Sequence, residues 1–364
     1  MFSEKAIQMK AKMLCQGVNV DQELQEKLDQ QNPSKVKRGG LSSGGKFFII
    51  DNEDKLPVNA PIYYKRESLV KILFINERLV VSDGHDYFPI NPIDSPKWYE
   101  QDVNGYPIAS IVTAHNLQLA TAIYEDCALF HRGKPCEFCV MNYSQENLNL
   151  VLKSGELINQ VLKKIPVDQY GGLTLNGGMT FHSGRGMEII EPVVREIHQQ
   201  FPELPIAVEI TPPEDLDWIN KIAEAGISSL MMNLECWDET IRQKTIPGKN
   251  QLCSRESYLL AFKRGLDCLG EGKISTCFVV GTESIKSLQE GIKEVVLQGV
   301  IPSPLAGRYF EDIPDYPFVP DVDWRKFLEI VYFTASELQK QKITSTDKAG
   351  CVACGMCDLI KNLM

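Results

Sequence analysis

The sequence predicts an α/β fold: a partial (β/α)6 barrel of TIM type, with a β-rich extension before it and a cysteine-bearing tail after it. Three observations predict it. From residue 117 short apolar runs alternate with longer helical patterns, recurring every ~25–45 residues, as β–α units of a parallel sheet do. Residues 46 to about 112 are instead dense in strand-like runs divided by Pro and Asp-Gly turns. The first barrel run, residues 119–126, leads directly into closely spaced cysteines, at the strand end where such barrels carry their chemistry.

In chain order, residues 1 to about 30 read as a polar amphipathic helix stopped at Asn32-Pro33. The basic, glycine-rich stretch 35–45 lacks the Lys-Ser/Thr ending of a phosphate-binding loop and reads as a surface turn. These segments form a first region, 1–45, and the β-rich extension spans 46–116. Barrel strands are expected at 119–126, 171–176, 205–210, 228–234, 274–281 and 300–306. Helices are expected near 147–164, 186–200, 214–225, 255–269 and 285–298, completing a barrel over 117–310. The last region, 311–364, holds a helix near 324–341 and the tail.

Composition narrows the function. A 364-residue chain that is 43% hydrophobic can bury one large core. A net charge of −10 disfavours broad binding to nucleic acid or anionic membranes. No apolar run approaches the ~20 residues that span a bilayer, and no signal-type apolar region opens the chain. The expected location is cytoplasmic. Eleven cysteines there point to metal ligation more than to disulfides.

Cys136 and Cys139 form a C-x2-C pair, with Phe138 just before the second cysteine and Cys127 nine residues upstream of the first. Three thiolates on one loop can hold three irons of a cubane cluster and leave the fourth open to a chelating ligand. Half a zinc site is the competing reading, although structural zinc normally takes four ligands. Cys351, Cys354 and Cys357 repeat the theme in the tail, with C-x2-C-x2-C spacing. They read as a second cluster or a zinc knuckle, and a zinc site shared by both sets is a further alternative. Cys15 or a non-cysteine group is the candidate fourth ligand. Cys236, Cys253, Cys268 and Cys277 read as core thiols. His115, His131 and His182 fall near predicted strand ends and read as packing or surface histidines.

The first cysteine set, placed after the first barrel strand, resembles that of the radical S-adenosylmethionine (SAM) superfamily, with C-x8-C-x2-C in place of the usual C-x3-C-x2-C. The resemblance covers about residues 117–306. It implies a 4Fe-4S cluster with an open iron on Cys127, Cys136 and Cys139, and Phe138 beside the adenine of SAM. Asn176-Gly177-Gly178-Met179-Thr180 resembles the motif that meets the methionyl amine, with Met179 in place of its acidic residue. Residues 231–236 resemble the Asn-x-acid strand end of biotin and lipoyl synthases, which implies SAM contacts for Asn233 and Glu235. One of Arg242, Lys249 or Arg255 is expected to pair with the SAM carboxylate, with an arginine favoured for its bidentate geometry. Residues 275–283 resemble the adenine-side motif in part, with Gly281 on its second glycine.

The implied chemistry is reductive cleavage of SAM to a 5′-deoxyadenosyl radical and functionalisation of an unactivated C–H bond. The whole chain resembles the two-protein lipoyl synthases and radical SAM proteins encoded beside nitrilases. Biotin synthase holds a second cluster on cysteines inside the barrel; the comparable strand positions here offer Glu209 and Asn176, with only Cys277 nearby, which argues against a biotin-synthase site. A tail cluster folded over the barrel mouth then implies lipoyl-type sulfur insertion, a transferase reaction. The alternatives are an oxidoreductase whose tail cluster relays electrons, and a non-catalytic iron–sulfur or zinc module. The implied partners are a reductant such as ferredoxin or flavodoxin, and a lipoyl-carrier-type protein or a partner radical SAM protein.

Overall fold

The computed structural model describes every residue except 1, 22, 23, 25, 27–44, 52–54, 142–149, 312, 314, 321, 346 and 347. The basic linker at 35–44 and the first part of the helix expected at 147–164 lie outside the described residues. The N-terminal helix is Glu4–Gln16, shorter than the 30 residues expected. Ser3 caps it by accepting from the Ala6 amide at 3.3 Å. Gly17, at φ +65°, turns the chain out of the helix.

The extension is a seven-stranded mixed sheet. Its strands are β1 Val18–Asn19, β2 Lys46–Ile50, β3 Leu56–Ala60, β4 Ile62–Tyr63, β5 Lys71–Ile75, β6 Arg78–Ser82 and β7 Tyr87–Pro92. Spatial order is β3-β2-β7-β6-β5-β1-β4. The short β1 runs parallel to both β4 and β5, and the other pairings are antiparallel. Alternating side chains such as Phe48, Ile50, Val58, Ile72 and Val81 are buried, as a half-covered antiparallel sheet requires. A small hairpin follows, β8 Asp102–Val103 and β9 Tyr106–Pro107.

The second sheet also has seven strands, arranged in sequence order. They are β10 Thr113–His115, β11 Gln118–Tyr124, β12 Leu173–Gly177, β13 Ile206–Glu209, β14 Ser229–Met231, β15 Ile274–Val280 and β16 Ile301–Ala306. β10 is antiparallel to β11, and each later strand is parallel to its predecessor. The helices Gly155–Leu162, Met187–Gln200, Asp217–Glu224, Arg255–Leu269 and Ile285–Leu297 lie in the crossovers, with Trp324–Gln341 after β16. β11 and β15 are buried almost end to end, the pattern of strands covered on both faces. Ala120 of β11 and Leu305 of β16 line one cavity although their strands stand at opposite ends of the parallel row. The sheet is therefore curled around its interior, a mixed α/β fold with a barrel-like centre. Among the described residues no helix is long and apolar enough to cross a membrane.

Candidate functional site in the barrel interior

The interior cavity measures about 350 Å³. Cys139 borders it together with Cys351, Cys354 and Cys357. Cys127 and Cys136 do not line it, and the two cysteine sets stand at opposite ends of the strands.

The first set lies at the C-terminal ends. β11 stops at Tyr124, and Cys127 opens the short helix Ala128–His131. The Ala128 amide donates to the Met179 carbonyl at 2.9 Å, tying this loop to the end of β12. Gly178 makes that approach possible, because a Cβ there would stand 1.6 Å from the Asp126 carbonyl oxygen. Farther along, the Glu137 amide donates to Thr245 O at 2.8 Å. A Cβ on Gly248 would meet Lys134 O at 2.5 Å, so the Ile246-Pro247-Gly248-Lys249 run packs directly beneath the cysteine loop.

The second set lies at the N-terminal ends, not over the mouth as expected. Gln118, at the start of β11, donates to Lys348 O at 2.9 Å. A Cβ on Gly172, just before β12, would meet Ala349 at 2.4 Å, and one on Gly350 would meet Ala207 of β13 at 3.2 Å. Asn59 of β3 and Arg308, past β16, complete the setting. The Asn59 amide donates to Met356 O at 2.9 Å, and its Nδ2 donates to Cys357 Sγ at 3.5 Å. Arg308 donates to Asn59 O at 2.7 Å and to Cys357 Sγ at 3.6 Å. From below, the buried Lys10 donates to Gly355 O at 2.6 Å. The tail thus plugs the lower end of the barrel.

Between the two sets stand polar side chains. Asn233 Nδ2 donates to Glu209 Oε1 at 2.5 Å. Lys249 Nζ donates to Glu235 Oε1 at 2.9 Å, a buried ion pair. Burial alone would lower Lys249, but the Glu235 carboxylate beside it holds the ammonium well above the usual lysine range. Burial raises the Glu209 carboxyl. Asn176 Oδ1, Asn233 Oδ1 and Glu235 Oε2 are buried without a hydrogen-bond partner among the described residues. Glu235 also has φ +69°, a left-handed conformation uncommon for a glutamate and held by its bridge to Phe278.

The expected SAM residues divide. Phe138, Gly177, Asn233 and Glu235 line the cavity. Phe138 also meets Phe318 edge-on at 5.8 Å between centroids. β14 ends at Met231, so Asn233 and Glu235 come from the segment after the strand and not from within it. Arg242 does not reach the cavity. Its fully buried guanidinium donates to Leu234 O, Cys236 O, Cys253 O and Asn250 Oδ1 at 2.8–3.1 Å, which ties the loop after β14 to the next two helices. Arg255 lies over Trp237, leaving Lys249 as the cavity cation of the three considered. Gly178 packs under the Cys127 loop, and Gly281 directly follows β15; neither lines the cavity. Cys15 does not line it either, so it stands apart from the tail set's cavity face. Cys236, Cys253 and Cys277 are buried, with Cys277 facing the cavity, and Cys268 is half-buried. Of the histidines, His115 lines the cavity, whereas exposed His131 pairs with Asp126 at 2.8 Å.

The donor set suits iron–sulfur chemistry. Burial pushes the Cys136 thiol well above its usual range and Cys139 up to about 12. Burial does the same to Cys351, and takes Cys354 up to about 12. Thiols raised in this way, of which Cys136 is buried and Cys139, Cys351 and Cys354 half-buried, become thiolates only against a strong local positive charge, such as bound iron would supply. Among the described residues no three His, Cys, Asp or Glu side chains converge to hold one metal ion. A cluster asks for a different arrangement, in which each thiolate meets its own iron.

No family model matches the chain. It is similar to bacteriochlorophyllide c C-7(1)-hydroxylase of Chlorobaculum limnaeum, with 22% identity over 246 residues, covering 61% of this chain and 60% of that protein. The match thus spans about 60% of the length of that curated relative. Two solved structures align at lower similarity. A radical SAM methyltransferase from Sphaerobacter thermophilus aligns over 90% of this chain and 81% of its own, with 12% identity and a TM-score of 0.47. HydG, a maturase of the FeFe-hydrogenase, aligns over 62% and 51%, with 14% identity and a TM-score of 0.46.

Proposed function

We propose that the chain is a radical SAM enzyme that functionalises an unactivated C–H bond of a substrate held inside the barrel, between two iron–sulfur clusters. The observation that carries this reading is one cavity bordered by Cys139 at its upper end and by Cys351, Cys354 and Cys357 at its lower end, with unpartnered polar oxygens between them.

Cys127, Cys136 and Cys139 would hold the upper cluster, and the tail cysteines a second. With SAM bound, the upper cluster would supply the electron for reductive cleavage to a 5′-deoxyadenosyl radical, the agent of hydrogen removal from carbon. The chain's own residues bind, orient and shield. The unpartnered oxygens of Asn176, Asn233 and Glu235 are acceptors, and suit the amine and ribose hydroxyls of SAM. Glu235 can serve two partners, since Lys249 occupies only Oε1. Lys249 brings the positive charge that a SAM carboxylate needs. Phe138 offers an aromatic face for adenine. Val140, Val279 and Phe310 make apolar wall, which keeps water from a reactive carbon centre.

The tail set faces the substrate from the other side, where it would act after hydrogen removal. Similarity to a hydroxylase favours an oxidative modification, for which Cys351, Cys354 and Cys357 would hold a group able to take up one electron. Sulfur insertion of lipoyl-synthase type is the second reading. It is favoured by three tail thiolates, which leave one cluster corner without cysteine and so more open to exchange. The reductant is of ferredoxin or flavodoxin type. Anaerobic protein with SAM and dithionite is expected to release 5′-deoxyadenosine, and Cys136→Ala to abolish that release. Undiminished release from the variant would overturn the assignment.

A further inference from the structure

We propose that Asp358 supplies the fourth ligand of the tail cluster through its Oδ1, giving a site of three thiolates and one carboxylate. The inference rests on the tail-cluster reading above and identifies the group at its non-cysteine corner.

Asp358 directly follows Cys357 and is 1% exposed. It lines the same cavity as Cys351, Cys354 and Cys357. Its Oδ2 accepts from Ser303 Oγ of β16 at 2.6 Å. Its Oδ1 is buried with no hydrogen-bond partner among the described residues. A buried carboxylate oxygen without a partner is costly, and a metal ion is one of the few groups that repay it. The Ser303 contact has the form of the outer hydrogen bonds that orient ligating carboxylates.

Among the unpartnered oxygens of the cavity wall, two others belong to residues that bond the tail, Asn59 Oδ1 and Gln118 Oε1, neither with a partner among the described residues. Both are neutral amide oxygens and weaker donors to iron than a carboxylate. The Asn59 amide is already committed through Nδ2 to Cys357. Lys10 is fully buried nearby, with Nζ 2.6 Å from Gly355 O and 2.9 Å from Asn362 Oδ1, so this end of the barrel also carries a positive charge. An oxygen-bound corner exchanges more readily than a thiolate-bound one, and here it would face the cavity where substrate sits.

The test uses the full chain with Cys127, Cys136 and Cys139 changed to Ala, so that only the tail set can be loaded. Anaerobic reconstitution should give about four irons per chain. Adding Asp358→Ala should lose one of the four and produce the electron paramagnetic resonance signal of a three-iron cluster. Asp358→Cys should restore four irons with a shifted reduction potential. Asp358→Asn keeps the shape and a partner for Ser303, so it carries the test if the alanine variant fails to fold, and it too should lose an iron. Four irons and an unchanged spectrum in the Asn and Ala variants would overturn the ligand assignment and leave the tail cluster standing. A parent that takes up no iron would overturn both.

Discussion

At the scale of single residues, the contrast between Arg242 and Lys249 shows what decides a role. Both are buried cations close in sequence. Arg242 is committed to three carbonyls and Asn250 and holds the fold together. Lys249 has its ammonium on Glu235 at the cavity wall. Removing one member of such a pair leaves a buried charge alone, at a cost of about 3–5 kcal/mol. Lys249→Met is therefore expected to lower the melting temperature and to weaken SAM binding. Adding Glu235→Gln should recover part of the stability without recovering the binding. Thermal denaturation and titration calorimetry on the single and double variants check both expectations. Full stability in Lys249→Met would show that Glu235 is satisfied by another group. The sequence offered three cations, but not which of them lines the cavity. Spacing places three basic residues after β14, whereas only packing decides which enters the cavity. Asp358, adjacent to a predicted ligand, carried no signal of its own because its burial and its Ser303 partner arise from contacts with a distant strand.

At the scale of elements, the barrel was the legible part. The predicted runs at 274–281 and 300–306 correspond closely to β15 and β16, and the predicted helices at 255–269 and 324–341 to Arg255–Leu269 and Trp324–Gln341. Strands buried on both faces and helices with one apolar face leave strong local periodicity. The extension was legible as strands but not as a sheet, because the insertion of β1 between β4 and β5 depends on non-local pairing. The first helix ends earlier than expected because Gly17, at φ +65°, turns the chain into β1. That helix packs its buried Ile7, Met9, Met13 and Leu14 into the core shared with the extension, and charge adds to the attachment. Lys12 pairs with Asp83 in the segment after β6, and Lys5 with Asp86. Burial alone would raise the Asp83 carboxyl, but the Lys12 ammonium and the amides of Asp86 and His85 hold it well below the usual carboxylate range. Such a group is ionised more readily in the fold than in the unfolded chain. Its stabilisation is present above the unfolded value of about pH 4 and is lost as pH falls through the lower folded value. Asp83→Asn should thus cost about 1.5–3 kcal/mol near neutrality. The gap from the parent should narrow as pH falls below about 4. Melting curves across that range test the sign, and a gap that widened in acid would contradict it.

At the scale of the whole molecule, the distribution of cysteines along the barrel axis makes a separable prediction. TIM-type barrels place chemistry at the C-terminal ends of their strands and leave the other end to stability. Here the tail carries thiols to that other end, and the cavity connects the two. The proposed work should divide accordingly. On this proposal SAM binding and cleavage should depend on Cys127, Cys136 and Cys139, together with Asn233, Glu235 and Lys249, all contributed by loops and helices past the upper strand ends. The fate of the substrate after hydrogen removal should depend on the tail. Changing Cys351, Cys354 and Cys357 together to Ser keeps near-isosteric side chains where Val352, Met356 and Leu359 pack, so the plug should stay seated. That variant is expected to bind SAM and still release 5′-deoxyadenosine in a slow uncoupled turnover, while forming no modified substrate. The corresponding change of the upper three should abolish both. Chromatography of nucleoside and substrate products from the same reactions separates the outcomes. Loss of SAM cleavage in the tail variant, with its fold intact by circular dichroism, would mean that the lower set reaches the upper chemistry through the cavity, and the division of labour between the two ends would not hold.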